Sequence, residues 1–266
     1  MYQGVPATGN GGAFLAVSEP RSYRHWVKGE GLTSFNVTVK ETDLYIRAAK
    51  NLRKRTLRLV SKYRDMLEGY AERHPSFLTS LKPVPADKDS PQIVQAMLQA
   101  ADMTGVGPMA AVAGAIAEFV GKELRSFSPE VIVENGGDIY LKSLRERIVG
   151  IYAGNSPLSG KIGIVVRAEE TPLGICTSSG TVGHSLSFGQ ADAVVVLAPS
   201  TVLADAAATA IGNLVVDADD IQRGIEFAKG IDGLSGVLII KDDKLGAWGE
   251  VRLCPVAAEP VNGGAP

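Results

Sequence analysis

Cysteine is nearly absent from this chain: only Cys176 and Cys254 occur among its 266 residues, far apart and outside any CxxC spacing. That excludes a disulfide framework and a cysteine-based zinc site. Cys176 reads either as a reactive thiol or as a small buried residue. Neither sign of charge dominates, with 27 Lys and Arg against 29 Asp and Glu. The overall charge therefore gives no argument for nucleic acid or an anionic membrane as partner, and neither is expected. No apolar run approaches the ~18 residues of a membrane span. The first residues, MYQGVPATGNGGAFLAV, lack a basic leader and a small-residue cleavage pattern, so the expectation is a soluble, cytoplasmic protein. What is present is 45% hydrophobic residues at mean hydropathy +0.09, enough for one large core or two small domains.

The chain is organised around Gly174 to Asn213, GICTSSGTVGHSLSFGQADAVVVLAPSTVLADAAATAIGN. A Ser/Thr/Gly-rich loop with one histidine leads into a buried strand at Ala193 to Leu197. A helix of small residues follows, from a Ser200 cap to a stop at Gly212-Asn213. Asp205 and Thr209, four residues apart, lie on one helical face beside Val202, Ala206 and Ala210. A carboxylate and a hydroxyl beside an apolar stripe need a partner. One reading is an oxygen site for a hard cation such as Mg2+, completed by substrate phosphates; the other is an Asp bonded to a neighbouring segment.

Taken in order, residues 1–20 read as a flexible, Gly- and Pro-rich arm, and residues 21–266 as the folded part. Phe35, Val37, Val39 and then Leu44 and Ile46 predict a β-hairpin turning near Glu41 to Asp43. Leu52, Thr56, Leu59, Val60, Tyr63, Leu67 and Tyr70 predict an amphipathic helix from Ala49 to about Arg73. Its basic face, Lys50 to Lys62, reads as solvated or as a surface for an acidic partner. Prolines 75, 83, 85 and 91 mark a surface connection and a possible sub-boundary near 75–91. Ser90 then reads as the cap of a helix through Ala101. Residues 105–110, GVGPMA, match GxGxxA, but a helix rather than a strand precedes them, which rules out a dinucleotide fingerprint. The stretch reads instead as a helix from Gly107 to Leu124, whose N-terminus could bind phosphate or whose small residues could serve close packing. Asn135-Gly136-Gly137-Asp138 turns one hairpin. Strands follow at Val149 to Tyr152, Ile162 to Arg167 and Ala193 to Leu197, with a helix at Ile221 to Ala228 and a last hairpin in GVLIIKDDKLGAWGEVRL. Strands in hairpin order mixed with helices predict an α+β fold, with mixed or antiparallel sheets and packed helices.

Four of these segments, in this order, resemble the ApbE family of flavin transferases, which use FAD and Mg2+ to attach FMN to a Thr or Ser of a target protein. VVVLAPSTVLADAAATAI is similar to that family's strand, APS turn and ADALATAL helix. GPMAAVAG is similar to GGIAKGYA, ENGGDI to the NxGGD turn, and CTSSGTVGHS to the ATSG segment with a later His. The resemblance implies an ApbE-like fold and a metal site of Asp205, Thr209 and the Ala110 carbonyl. It further implies flavin or phosphate contacts by Gly107, Ala110, Gly136, Gly137, Asp138, Thr177, Ser178, Gly180 and His184. Asp205 and His184 would be the catalytic pair, His184 acting as acid or base or bonding phosphate or flavin. The implied cofactors are Mg2+ and FAD, and the implied partners are a small flavin or nucleotide and an acceptor protein.

The departures count against activity. Ala111 replaces the family's Lys, and Leu186-Ser187-Phe188-Gly189-Gln190 replaces the Asp-Pro-x-Thr-Gly after its His. A divergent branch that binds flavin, nucleotide or phosphate without transfer is therefore the competing reading. A serine hydrolase using Ser179 or Ser185 with His184 as base is a third, without a GxSxG elbow or an orienting acid to support it.

Overall fold

A computed structural model of the chain describes residues 31–182 and 188–256. The arm, His184 and Ser185 lie outside them. β1 (Thr33–Val39) and β2 (Thr42–Ala48) form the expected hairpin, with Val39 paired to Thr42 and Lys40 at φ 51° in the turn. Phe35 and Val37 face inward with Leu44 and Ile46. Helix α1 (Arg53–Arg73) starts four residues later than expected, because the Arg53 N–H donates to Asn51 Oδ1 at 3.0 Å and ends the extended chain there. Its buried stripe is Thr56, Val60, Tyr63, Leu67 and Tyr70.

The proline-rich connection holds a short helix, α2 (Pro75–Thr79), which drives Phe77 into the core. Ser90 does not cap the next helix, α3 (Gln92–Thr104); its hydroxyl donates to Asp87 O at 2.6 Å, and Pro91 stands at the N-cap. The single helix expected from Gly107 is broken into a 3-10 turn, Pro108–Ala111, and helix α4 (Val112–Leu124). Among the described residues no single helix is long and apolar enough to cross a membrane.

β3 (Val131–Asn135) and β4 (Asp138–Lys142) meet at Gly136-Gly137, whose φ values of 67° and 108° suit glycine. After β5 (Arg147–Gly150) and β6 (Ile162–Val166) comes a strand that the sequence reading took as loop, β7 (Leu173–Ser178). It is clamped between β4 and the next strand, β8 (Ala193–Ala198), and is buried on both faces, so it lacks the polar alternation that marks a half-exposed strand. Helices α5 (Thr201–Gly212) and α6 (Ile221–Lys229) precede β9 (Gly236–Lys241), β10 (Lys244–Gly249) and β11 (Leu253–Pro255).

Eight strands form one sheet in the order β1-β2-β3-β4-β7-β8-β9-β10, every pairing antiparallel. The helices cover one face through a core that joins Phe35 and Val60 to Ile116, Val194 and Ala206, so it runs continuously across the proline-rich connection. The other face packs Ile139, Ile175, Val195 and Leu238 against the three-stranded sheet β11-β6-β5. The fold is α+β, in three layers.

Candidate functional site

The site is built where α4 and α5 cross on the helix-bearing face of β4 and β7. Close approach needs small residues, and Gly114 supplies the closest: a Cβ there would lie 2.5 Å from Thr201 O and 2.7 Å from Asp205 Cβ. Ala206, Ala207 and Ala208 continue the buried small-residue surface of α5. The crossing brings two helix N-termini near one another, each with unpaired N–H groups and a positive dipole end. Each is met by a carboxylate from the other helix. Gly114 N–H donates to Asp205 Oδ2 at 2.7 Å, and Val202 N–H donates to Glu118 Oε2 at 3.1 Å. Ser200 Oγ accepts the Leu203 N–H at 3.3 Å, as expected of the cap, and donates to Glu118 Oε2 at 3.2 Å. Asp205 is thus bonded to a neighbouring helix start, one of the two readings its sequence allowed.

Asp138, at the start of β4, and Asp205 are only 7% and 8% exposed. Burial pushes the Asp205 carboxyl up to about 7, even though the N–H groups of Gly114 and Ala113 favour its ionised form. Asp138 is raised well above the carboxylate range by burial first and by the charge of Asp205 second, while the nearby Cys176 thiol and Thr177 N–H act the other way. Burial and these two carboxyls in turn hold the Cys176 thiol high, so it is inert as a nucleophile at neutral pH and reads as the small buried residue. Asp138 Oδ1 has no hydrogen-bond partner.

Around this pair lie half-exposed groups from four elements. Thr209 follows Asp205 by one turn on α5. Thr177 and Ser178 end β7, with Ser178 Oγ beside Gly212. Ala110 sits in the 3-10 turn that packs on α5. Gly137 lies next to Thr177 O, and its N–H donates to Glu134 Oε1 at 3.0 Å; Gly136 is exposed at the tip of the turn. Two predicted residues stand elsewhere. Gly107 is buried beneath the proline-rich connection, where an added Cβ would lie 1.8 Å from Ser80 O. Gly180 is held in its loop by an N–H bond to Ala191 O at 2.9 Å and by close contact with Gly189. Ser179 Oγ accepts the N–H groups of Thr181 and Val182 at 3.1 and 3.0 Å, a turn-forming role.

Sequence reasoning missed three contributors: Gly114, Glu118 and Asn135, whose Nδ2 donates to Ala113 O at 3.0 Å. The signal for Glu118 is visible afterwards as the lone acid inside MAAVAGAIAEFVG. Among the described residues, no group of three or more His, Cys, Asp or Glu side chains is disposed to hold a metal ion. A cation here would rest on two carboxyls, neutral oxygens and whatever its ligand supplies.

The fold is α+β of the ApbE type. The protein shares it with a single-residue mutant of the flavin transferase ApbE from Vibrio cholerae (TM-score 0.53, 13% identity, 82% of this chain and 96% of that one). The apo flavinyl transferase ApbE of Pseudomonas stutzeri is similar at TM-score 0.52 and 12% identity, over 82% and 93% of the two chains. The chain belongs to the family described as AbpE bacteria, whose profile matches residues 24–232. It is 42% identical to a UPF0280 protein of Methanocaldococcus jannaschii over 221 residues, 81% of this chain and 90% of that protein. A UPF0280 protein of Methanopyrus kandleri is 43% identical over 244 residues, 86% and 99% of the two chains.

Proposed function

We propose that the protein binds FAD or a related nucleotide diphosphate together with Mg2+ in the cleft between α4, α5 and the ends of β3, β4 and β7. The observation that supports this is the placement of Asp205 and Thr209, a buried carboxylate and a half-buried hydroxyl one turn apart, on the helix that packs against β4, β7 and the 3-10 turn carrying Ala110. Asp205, Thr209 and the Ala110 carbonyl offer oxygens, which is the chemistry Mg2+ prefers. Asp205 and Thr209 would hold it with the Ala110 carbonyl. Bound Mg2+ supplies charge neutralisation at a phosphate leaving group. Thr177, Ser178 and the Gly136-Gly137 backbone would orient the flavin nucleotide, and Asp205 would keep its bond to Gly114 while doing so.

Transfer of FMN to a protein is the finer reading, and binding without transfer is favoured over it by one observation. Ala111, where the ApbE transferases carry a Lys, is fully buried and offers no cation to a phosphate. Misplaced reactants can lower a rate ~100-fold or more while binding persists. Calorimetry should show FAD binding that requires Mg2+ and is lost in Asp205→Ala. Incubation with FAD, Mg2+ and an ApbE acceptor sequence should give slow or no in-gel flavin fluorescence. No FAD binding at millimolar concentration refutes the binding proposal; rapid labelling that depends on Asp205 refutes the preference for binding over transfer.

A further inference from the structure

Two other buried carboxylates are neutralised by the chain itself, and a third, Asp192, accepts hydrogen bonds from Thr181 Oγ1 and the Asp242 N–H. Glu118 meets Lys122 at 2.5 Å and Glu130 meets Arg147 at 2.8 Å. Asp138 and Asp205 form no ion pair with any described residue, although both are more than nine-tenths buried. They meet where α5 packs on β4 and β7: Asp138 opens β4, and Cys176 Sγ on β7 donates to Thr201 O, one turn before Asp205 on α5. Gly114 satisfies one oxygen of Asp205, whereas Asp138 keeps a buried Oδ1 with no partner at all. Two uncompensated acids in a low-dielectric site repel one another, and an orphaned buried oxygen costs stability unless something occupies it. Among the described residues, the groups that act on the pair are the Cys176 thiol, the Glu134 carboxyl and backbone N–H groups, and none of them carries positive charge.

We propose that Asp138 is a second protein ligand of the cation, so that the pair Asp138–Asp205 captures a divalent ion before any nucleotide arrives. This rests on the reading of Asp205 as a cation ligand and adds to it: a second carboxylate raises the negative charge and the number of protein oxygens at the site, so that retention of the ion leans less on the ligand's phosphates. A purely structural Asp138 would have both oxygens bonded in the free protein, and its loss would destabilise the fold. A ligand aspartate does the reverse, because the isosteric amide relieves repulsion in the metal-free state and removes affinity.

The test is Mn2+ titration of the nucleotide-free protein by electron paramagnetic resonance, with melting curves in EDTA and in Mn2+. The expected result is one bound Mn2+ in the wild type, with affinity more than about tenfold weaker in both Asp138→Asn and Asp205→Asn. Asp138→Asn should melt at or above the wild type in EDTA and lose the upward shift that Mn2+ gives the wild type. Asp138→Ser, also uncharged, guards against a folding defect peculiar to the amide. Unchanged Mn2+ affinity in both folded Asp138 variants overturns the proposal. So does Mn2+ binding that appears only with FAD and depends on Asp205 alone, which leaves the proposed function standing. Absence of Mn2+ binding with and without FAD overturns both.

Discussion

Gly114→Ala tests the crossing on which the site depends. Alanine is normally the better helix residue, by about 0.5–1 kcal/mol in a helix interior. Here the added methyl would lie 2.5 Å from a backbone oxygen, Thr201 O, and 2.7 Å from Asp205 Cβ, so no rotamer change relieves it. Separating α4 from α5 sacrifices packing worth about 1–3 kcal/mol. It also stretches the 2.7 Å bond from Gly114 N–H to Asp205, and a bond to a charged group is worth about 1.5–3 kcal/mol. The propensity gain is smaller than either loss, and the variant should be destabilised by about 3 kcal/mol. At about 2–4 °C per kcal/mol for a chain near this size, the midpoint of thermal unfolding falls by about 6–12 °C. Gly69→Ala is the internal control: it sits in α1 with only a distant Arg73 side-chain atom at 4.0 Å, and should raise stability by the ordinary propensity difference. Circular dichroism melts of the two variants decide the matter. If Gly114→Ala melts with or above the wild type while Gly69→Ala behaves as expected, α4 and α5 do not approach at Gly114 and the site geometry is wrong.

Asp205→Asn should change how stability depends on pH. The folded carboxyl keeps its proton up to about 7, against an ordinary value of 3.8, so the folded state binds more protons across that window and wild-type stability falls as pH rises through it. In EDTA, the variant should therefore gain on the wild type from about pH 4 to 7 and hold a constant difference above; a difference that does not vary with pH refutes the assignment. Arg147→Leu should cost about 3–5 kcal/mol, because it strands buried Glu130, whose Oε2 receives the guanidinium at 2.8 Å. Adding Glu130→Gln should recover part of that loss in urea unfolding, and a single variant as stable as the wild type would show that the pair is not buried.

The sequence carried the helix of Asp205 and Thr209 well, because Ser200 and Gly212-Asn213 bracket it with local hydrogen-bonding chemistry that owes nothing to the rest of the chain. The Gly136-Gly137 turn was legible for the same reason: left-handed backbone at two successive positions selects glycine whatever surrounds it. β7 was not legible. Its residues are small and polar enough to read as loop, and only its place between β4 and β8 makes them a strand. Ser90 fits the cap pattern but bonds backward to Asp87, a choice settled by the fold of the preceding connection. Gly107 and Gly114 carry the same letter seven residues apart; one serves the packing of a loop and the other the site, and tertiary contact alone tells them apart.

The carboxylates also change what the helix N-terminus can offer. From sequence, the start of this helix is a phosphate site because its N–H groups are unpaired. In the fold, Asp205 already occupies the Gly114 N–H, so that end of α4 is neutralised by an anion of the chain's own. An incoming pyrophosphate would face Asp205 and Asp138 in place of bare donors, and their ionisation beside it would be opposed by like-charge repulsion in a buried site. Lys122 and Arg147, the cations of the neighbouring buried pairs, are held by Glu118 and Glu130. Positive charge between them would let phosphate and ionised carboxylates share the cleft. Under the proposed function that charge is the divalent ion, and cation dependence of nucleotide binding follows from the sign of the site, independently of whether FMN is ever transferred.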